Sequence, residues 1–585
     1  MRRLTTLLFA ALTLVLAAPA FADQGGTTTK DTFVQLLAFN DFHGNLQPPS
    51  GSSGRIQTGI TSTGAAINVD AGGVEYLATD IKALRTQNTN TITVAAGDNI
   101  GASPLISGLF HDEPAIEALN ALGLDVTGVG NHEFDEGINE LLRMQYGGCH
   151  PVEGCFGGDG FVGSLFQYLA ANVFYAGTND TILPPYEIKK VDNAKIAFIG
   201  LTFEATPTVV TPTGVAGLDF RPEVPVVNAL VDRLRAENGV RAFVILIHQG
   251  GQQNAPFPLG YPNVNGCDNL SGPIVDIVNQ LSDQVDVVVS AHTHNSYNCV
   301  VDGKLLTSAA SFGRLITKID LRIDQQTKDV IEKTATNVIV TRTVAKDPAE
   351  TAIVSKYDAI AGPIAARVVG HITATFTRGT NPTAANTATG EGVLGDLIAD
   401  SQLFVTKPTD FGGAVIAFMN PGGIRADLLF GPTASVIKNP GEVTYGELFT
   451  IQPFGNSLTV KTLTGEQIRR LLEQQWSGPN AGAIKILQVS EGFGYSYNFS
   501  LPATSRVVPG SITLDGAPID PLASYRVEMN NFLAAGGDNF TVFNEGTNQL
   551  GGEVDLDAME KYFAAAEVTH VAVAPNTTPR IVRVG

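Results

Sequence analysis

Five short polar clusters in this chain carry side chains that bind divalent metal ions: Asp41-Phe42-His43, Gly97-Asp98-Asn99, Asn131-His132-Glu133-Phe134-Asp135, His248, and His292-Thr293-His294. Of nine histidines, five fall in these clusters, a bias that scattered surface histidines would not produce. Asp41 and His43 are two residues apart, so a chain still extended beyond Phe39 points both to one side, where carboxylate and imidazole suit a borderline cation. Asp98 can offer one oxygen to each of two ions and is the natural bridge. His294 joins Asp41 and His43 at the first ion, and Asn131, His248 and His292 complete the second. Two cations about 3.5–4 Å apart can clamp a phosphoryl group and ionise water near neutral pH for in-line attack. His132 is assigned to the substrate instead. Asp135, three residues on, can hydrogen-bond its ring and favour the imidazolium, which would stabilise charge on a transferred phosphoryl group or protonate a departing alcohol.

Taken singly, an aspartate after a strand is usually a turn former, and a lone histidine a hydrogen-bonded surface or core residue. Here each cluster follows an apolar run that reads as a buried strand, at residues 34–39, 91–96, 124–129, 242–247 and 285–289. Side chains just past the carboxyl ends of neighbouring strands converge on one crevice, where open α/β sheets place their ligands. Helical patterns over residues 74–85 and 224–237 alternate with these runs, which argues for a layered α/β domain. Asp347-Pro348-Ala349-Glu350 reads as an N-cap and first turn of a connecting helix running toward Ile360. The expected order is a signal peptide over 1–22, a dimetal domain over 23–342, a helical linker over 343–370 and a second α/β domain over 371–585. Residues 48–63 and 378–390 read as long surface loops.

At 585 residues the chain exceeds what one core organises. Arg2 and Arg3 precede an apolar run ending in Ala20-Phe21-Ala22, the pattern of a cleaved leader, so export to the periplasm or the extracellular space is expected. That run is shorter than a bilayer span needs, and no second apolar stretch of membrane length follows, so no anchor is expected after cleavage. The net charge of −20 disfavours nucleic acid and anionic lipid as partners. A small anion would need metal ions or a local arginine pocket to approach. Four cysteines in an exported chain are most simply two disulfides: Cys149 with Cys155 across a short loop, and Cys267 with Cys299. A thiolate zinc site is the alternative, but no CxxC spacing is present.

In the second domain, Asn420-Pro421-Gly422-Gly423-Ile424-Arg425 is a glycine-rich turn ending in a guanidinium that can fork onto phosphate or carboxylate. Phe454 and Phe532 lie in polar loops, each with a hydrogen-bonding neighbour, Asn456 or Asp538, although core packing is the usual role of any phenylalanine.

The five clusters together resemble the calcineurin-like metallophosphoesterases, and with the second-domain motifs the chain looks like the secreted bacterial 5'-nucleotidases. The resemblance implies a four-layer α/β/β/α sandwich joined by a helix to a nucleotide-binding domain. It implies two divalent ions (Zn, Mn or Co), a ligand role for Asn131, and a catalytic His132 supported by Asp135. It further implies that Phe454 and Phe532 sandwich a base, that Asn456 and Asp538 contact base and ribose, and that arginines hold the nucleoside region. Relatives often carry two closely spaced arginines before the helix at 395–400; here Arg378 stands alone, so Arg425 is the main carry-over. The implied activity is hydrolysis of nucleoside 5'-monophosphates, with UDP-sugars as further substrates. A 2',3'-cyclic nucleotide phosphodiesterase with 3'-nucleotidase activity shares the same plan. A non-catalytic binding protein would tend to lose ligands, and none is missing here.

Overall fold

The structure is a computed structural model that describes residues 31–49, 51–61, 66–156, 160–210, 214–253, 263–433 and 436–585. The expected leader lies outside the described residues.

Two six-stranded sheets face each other in the first domain. One runs Val330–Ile339, Leu315–Ile323, Thr32–Phe39, Thr91–Ala95, Val126–Gly128, Gln167–Leu169, and the other Ser296–Val301, Lys304–Ala309, Val287–Ser290, Ala242–Ile247, Ala194–Leu201, Tyr186–Val191. Strand alternation explains the layers. Val34, Leu36 and Ala38 point between the sheets and meet Val244, Leu246 and Phe198. Leu37 and Phe39, on the opposite face, pack under helices Val74–Arg85 and Glu113–Leu122. Phe243, Ile245 and Ile247 likewise pack under Glu223–Asn238 and Pro273–Gln280. The result is the four-layer α/β/β/α sandwich. Because Thr32–Phe39, Thr91–Ala95 and Val126–Gly128 are parallel, as are Ala194–Leu201, Ala242–Ile247 and Val287–Ser290, their carboxyl ends open along one edge.

Two sequence expectations change. Residues 48–63 are not wholly loop: Arg55–Ile60 and Ala66–Asp70 form an antiparallel hairpin. Burial does not alternate along it, with Ile56 buried but Ile60 and Ile67 exposed, which blurs the period-two signal. Asp41 and His43 are not on an extended strand either, since their φ values are 50° and 49°. The chain coils tightly there, and the two side chains reach the same place by turning.

Asp347 caps the helix Pro348–Ala365 by accepting from the amides of Ala349 and Glu350. Val354 and Ala361 of this helix pack on the first domain's core, and the Tyr357 hydroxyl donates to Glu117 at 2.8 Å. The strand Val368–His371 pairs with Glu442–Thr444. Beyond it lies a five-stranded sheet, Gln488–Val489, Ile416–Met419, Ser524–Asn530, Ser457–Thr464, Thr547–Val554, with helices on both faces. Capping boxes at Thr444/Glu447 and Thr464/Gln467 start two of those helices. Among the described residues no helix is long and apolar enough to cross a membrane.

Both expected disulfides are present, Cys149–Cys155 and Cys267–Cys299. The second closes a 32-residue separation and ends at Cys299, which is buried on Ser296–Val301. Replacing Cys267 and Cys299 together with serine is expected to lower unfolding stability by about 3–4 kcal/mol, from loop-closure entropy. Denaturant titration would check this, and an unchanged midpoint would contradict it.

Candidate dimetal active site

Every sequence-predicted metal ligand meets at the open edge of the two sheets, and hydrogen bonding decides which atoms face inward. His43 Nδ1 donates to the Gly101 carbonyl at 2.8 Å, so its Nε2 presents a lone pair toward His294 Nε2 at 3.2 Å and Asp98 Oδ2 at 3.6 Å. His248 Nδ1 donates to the Ala96 carbonyl at 2.9 Å, leaving Nε2 aimed at Asp98 Oδ2, 3.0 Å away, and Asn131 Oδ1, 3.1 Å away. His292 Nδ1 is 2.9 Å from the same Asn131 oxygen, and His294 Nε2 is 3.4 Å from Asp41 Oδ1. Ring N–H groups held by carbonyls, with the opposite nitrogens pointed at carboxylate and amide oxygens, are how proteins orient metal-ligating histidines.

Asp98 stands between the two halves of the cage, but not with one oxygen for each: Oδ2 alone faces both His43 and His248, while Oδ1 accepts from the His132 amide. One group of possible ligands is Asp41, His43 and His294, and a second is Asp98, His248 and His292. The charges need a cation or protons to balance them. Burial, with Asp98 beside it, raises Asp41 to about 7. Burial disfavours a charged His248, yet Asp98 and Asp41 outweigh it and push the ring up to about 9. Burial and the neighbouring His248 push His292 down to about 3. Burial likewise lowers His43 and His294. His43, His292 and His294 are thus held neutral, the donor state that divalent cations require, whereas His248 and Asp41 hold protons that a bound cation would displace. Space is kept clear as well, because a Cβ on Gly130 would lie 2.2 Å from Asp98 Oδ1 and 2.8 Å from His248 Nδ1. The residues therefore fit two ions with mixed nitrogen and oxygen ligands, as Zn, Mn or Co accept.

The supporting residues are ones the sequence reading left without a role. Glu133 accepts from the amides of Asp98, Asn99 and Gly130 at 3.0, 2.8 and 2.6 Å, tying one ligand loop to the next. Asn40 donates to Asp41 at 2.5 Å and to the Ala310 carbonyl at 2.7 Å, which fixes the Asp41 carboxylate. Both adjoin ligand motifs, and that adjacency was the available signal.

His132 stands over the cage. Its amide donates to Asp98 Oδ1 at 2.9 Å, and its Nδ1 lies 2.8 Å from Asp135 Oδ2. Burial opposes charging the ring, but Asp135 and Asp98 outweigh that and raise its pKa.

The second domain reaches this point. Phe454 stacks on His132 with ring centroids 5.6 Å apart and planes 18° apart, and the Arg425 guanidinium lies 5.7 Å from the Phe454 centroid. Arg378 donates to the Arg425 carbonyl at 3.0 Å, to Asp427 at 3.2 Å and to Ser53 of the first domain at 3.2 Å. Arg314, Arg378, Arg425 and His294 line a cavity of about 350 Å³. This is a local arginine pocket on an acidic protein. Arg314 was not anticipated, since nothing in Ser311-Phe312-Gly313-Arg314 sets it apart from an ordinary turn.

Asp538, in a left-handed conformation at φ 55°, accepts from Asn420 at 2.9 Å and Lys485 at 2.5 Å. Neither Asn420 nor Lys485 was assigned a role from sequence. The Phe532 ring covers Gly537, where a Cβ would come within 2.5 Å of it. Asn456 is buried, and its amide donates to Asp555 at 3.3 Å. In this arrangement it braces the loop that carries Phe454.

The calcineurin-like phosphoesterase pattern matches residues 34–296, and the 5'-nucleotidase C-terminal domain pattern matches residues 368–545. The chain belongs to the calcineurin-like phosphoesterases that carry a 5'-nucleotidase C-terminal domain. Members of this family use two divalent metal ions. This phosphoesterase is 32% identical to Endonuclease YhcR of Bacillus subtilis over 93% of its own length, but it spans only 41% of that longer protein. It is 25% identical to the snake venom 5'-nucleotidase of Naja atra, covering 90% of this chain and 95% of that one. Its fold matches the 5'-nucleotidase precursor from Thermus thermophilus with a TM-score of 0.72 at 23% identity, over 95% of this phosphoesterase and 100% of that chain.

Proposed function

We propose that this phosphoesterase is exported and hydrolyses nucleoside 5'-monophosphates, and also UDP-sugars, to scavenge nucleosides and phosphate. The observation that carries the reading is the placement of Phe454 of one domain on His132 above the ligand cage of the other, with the Arg425 guanidinium beside the Phe454 ring. A phosphate at the cage would then lie beside an aromatic ring on which a base can stack.

When bound, two divalent cations supply Lewis acidity and lower the pKa of the attacking water. Asp41, His43, Asp98 and His294 would hold one, and Asp98, Asn131, His248 and His292 the other. Asp135 holds the His132 proton at Nδ1, so Nε2 is the atom that meets the substrate. From there the imidazolium stabilises charge on the phosphoryl oxygens and gives a proton to the departing 5'-oxygen. Arg425 and Arg378 offer guanidinium donors to the anionic substrate. Phe454 covers His132 and limits water at that side. Phe454 and Phe532 receive the base, Asp538 the ribose hydroxyls, and Asn456 the base edge.

A phosphate-release panel tests the reading: AMP and UDP-glucose are expected as substrates, and dominant activity on 3'-AMP or cyclic 2',3'-AMP would overturn it. One observation favours that second reading. Lys485 is paired with Asp538, so an ammonium stands beside the proposed ribose site, where it would suit a phosphate on the 2' or 3' oxygen. The polymer substrate implied by the name of the Bacillus relative fits poorly with a net charge of −20. Phe532→Ala is expected to raise KM for AMP by roughly 5–150-fold, the equivalent of about 1–3 kcal/mol of lost stacking. An unchanged KM would remove Phe532 from the site.

A further inference from the structure

On the outer side of the catalytic loop lies a second cluster of metal-binding side chains that the reaction does not use. His111 and His150 stack face to face, with ring centroids 4.0 Å apart and planes 10° apart, over Phe156. Donor atoms of His111, His150 and Glu153 lie within 4.8 Å of one another. His150 and Glu153 both sit in the loop closed by Cys149–Cys155, so the disulfide holds two donors against a third from a distant segment.

Hydrogen bonding again sets the inward-facing atom. His111 Nδ1 lies 2.5 Å from Glu136 Oε2, and its Nε2 is 3.6 Å from Glu153 Oε1. If the Nδ1 proton is held by Glu136, the Nε2 lone pair faces the Glu153 carboxylate, which leaves two acceptors pointed at one space. A carboxylate behind an imidazole whose other nitrogen faces a carboxylate is the arrangement that positions ligands at zinc sites. An alternative grouping on the Nδ1 side, with Glu136 and Glu140, is less available. Glu140 is neutralised there by Arg143, which donates to both of its oxygens.

We propose that His111, His150 and Glu153 form a third divalent-cation site, with Glu136 orienting His111. Two imidazoles and one carboxylate suit zinc, cobalt, nickel or copper(II) over magnesium or calcium. His150 Nδ1 accepts from the Glu153 amide at 3.1 Å, so an ion taken by this ring displaces that amide or binds Nε2 after the proton shifts. Either change is confined to the short disulfide loop, where Val152 is 86% exposed. The ion would fasten this loop, through His111 and Glu136, to the segment in which Asp135 supports His132. The two ring planes are nearly parallel, so one imidazole turns about its Cβ–Cγ bond to bring both in-plane lone pairs onto one ion.

The test is zinc stoichiometry of the full chain, stripped with chelator, reloaded with zinc, desalted and measured by elemental analysis. Three ions per chain are expected for the unaltered protein, two for His150→Ala and for Glu153→Ala, and one for Asp98→Ala, which removes the catalytic pair but spares this site. Cobalt substitution of Asp98→Ala gives a second readout, since its visible absorption would report the remaining ion alone and vanish in the double variant with His150→Ala. Two ions in the unaltered protein, or three retained in both loop variants, would overturn the proposal. The two loop substitutions lie on an exposed hairpin, so a folding failure in one leaves the other to decide.

Discussion

Replacing His132 with alanine is expected to lower kcat on AMP by roughly 10²–10⁴-fold, the usual worth of a positioned proton donor, while two metal ions per chain remain in the catalytic cage. The separation of effects follows from where the residue sits. Its backbone amide, which alanine keeps, donates to the bridging Asp98 at 2.9 Å, whereas its ring is turned to Asp135 and Phe454. Removing the ring therefore deletes a group that meets the substrate and leaves the ligand loop tied as before. Asp135→Asn should give a smaller loss, because the ring stays in place but loses the carboxylate that favours its charged form. Steady-state kinetics with elemental analysis on the same preparation would check both statements. Full activity in the alanine variant would mean that the ring has no chemical part, and loss of metal together with activity would mean that it is a ligand instead.

Asp98→Ala is expected to have the larger effect, with both catalytic ions lost and turnover reduced to background at any practical metal concentration. This carboxylate lies 3.0 Å from His248 and 3.6 Å from His43, one in each half of the cage. Asp41, the other buried carboxylate of the cage, faces the His294 ring but meets His292 only at its backbone amide. The Asp98 pKa is held well below the usual carboxylate range: burial works against ionisation, but His248 and His132 outweigh it. The anionic state is thus prepared before any cation arrives. Asn131→Ala should cost less, since it removes one neutral oxygen from one ion only. Metal titration followed by calorimetry separates the cases. Asp98→Ala retaining two tightly bound ions would break the bridging assignment.

Most of the cage was legible in the sequence because its logic is local. Apolar runs such as 242–247 mark buried strands, and a polar residue just beyond the run, here His248, must sit at the carboxyl edge. Parallel pairing then brings separate edges together, which the sequence implies without giving distances. What was not legible depended on backbone sign or on long-range meeting. The left-handed turns at Asp41 and His43 carry no compositional mark beyond Gly44, so the extended reading was natural and wrong in its geometry. The hairpin at Arg55–Ile60 and Ala66–Asp70 is amphipathic only weakly, with exposed Ile60 and Ile67. Arg314 joins Arg378 and Arg425 only because a strand turn of one domain faces a loop of the other. Asn456 is marked in the sequence by its place beside Phe454, but its hydrogen bond to Asp555, far along the chain, carries no local sign.

The central claim is that two cations sit side by side where these strand ends converge. Anomalous diffraction from active crystals, recorded at the absorption edges of zinc and manganese, tests it most directly. The expected map has a pair of peaks about 3.5–4 Å apart, the spacing of two-metal hydrolases, with Asp98 between them, His43 and His294 beside one and His248 and His292 beside the other. A single peak, or none at that position in crystals that still release phosphate, would contradict the account.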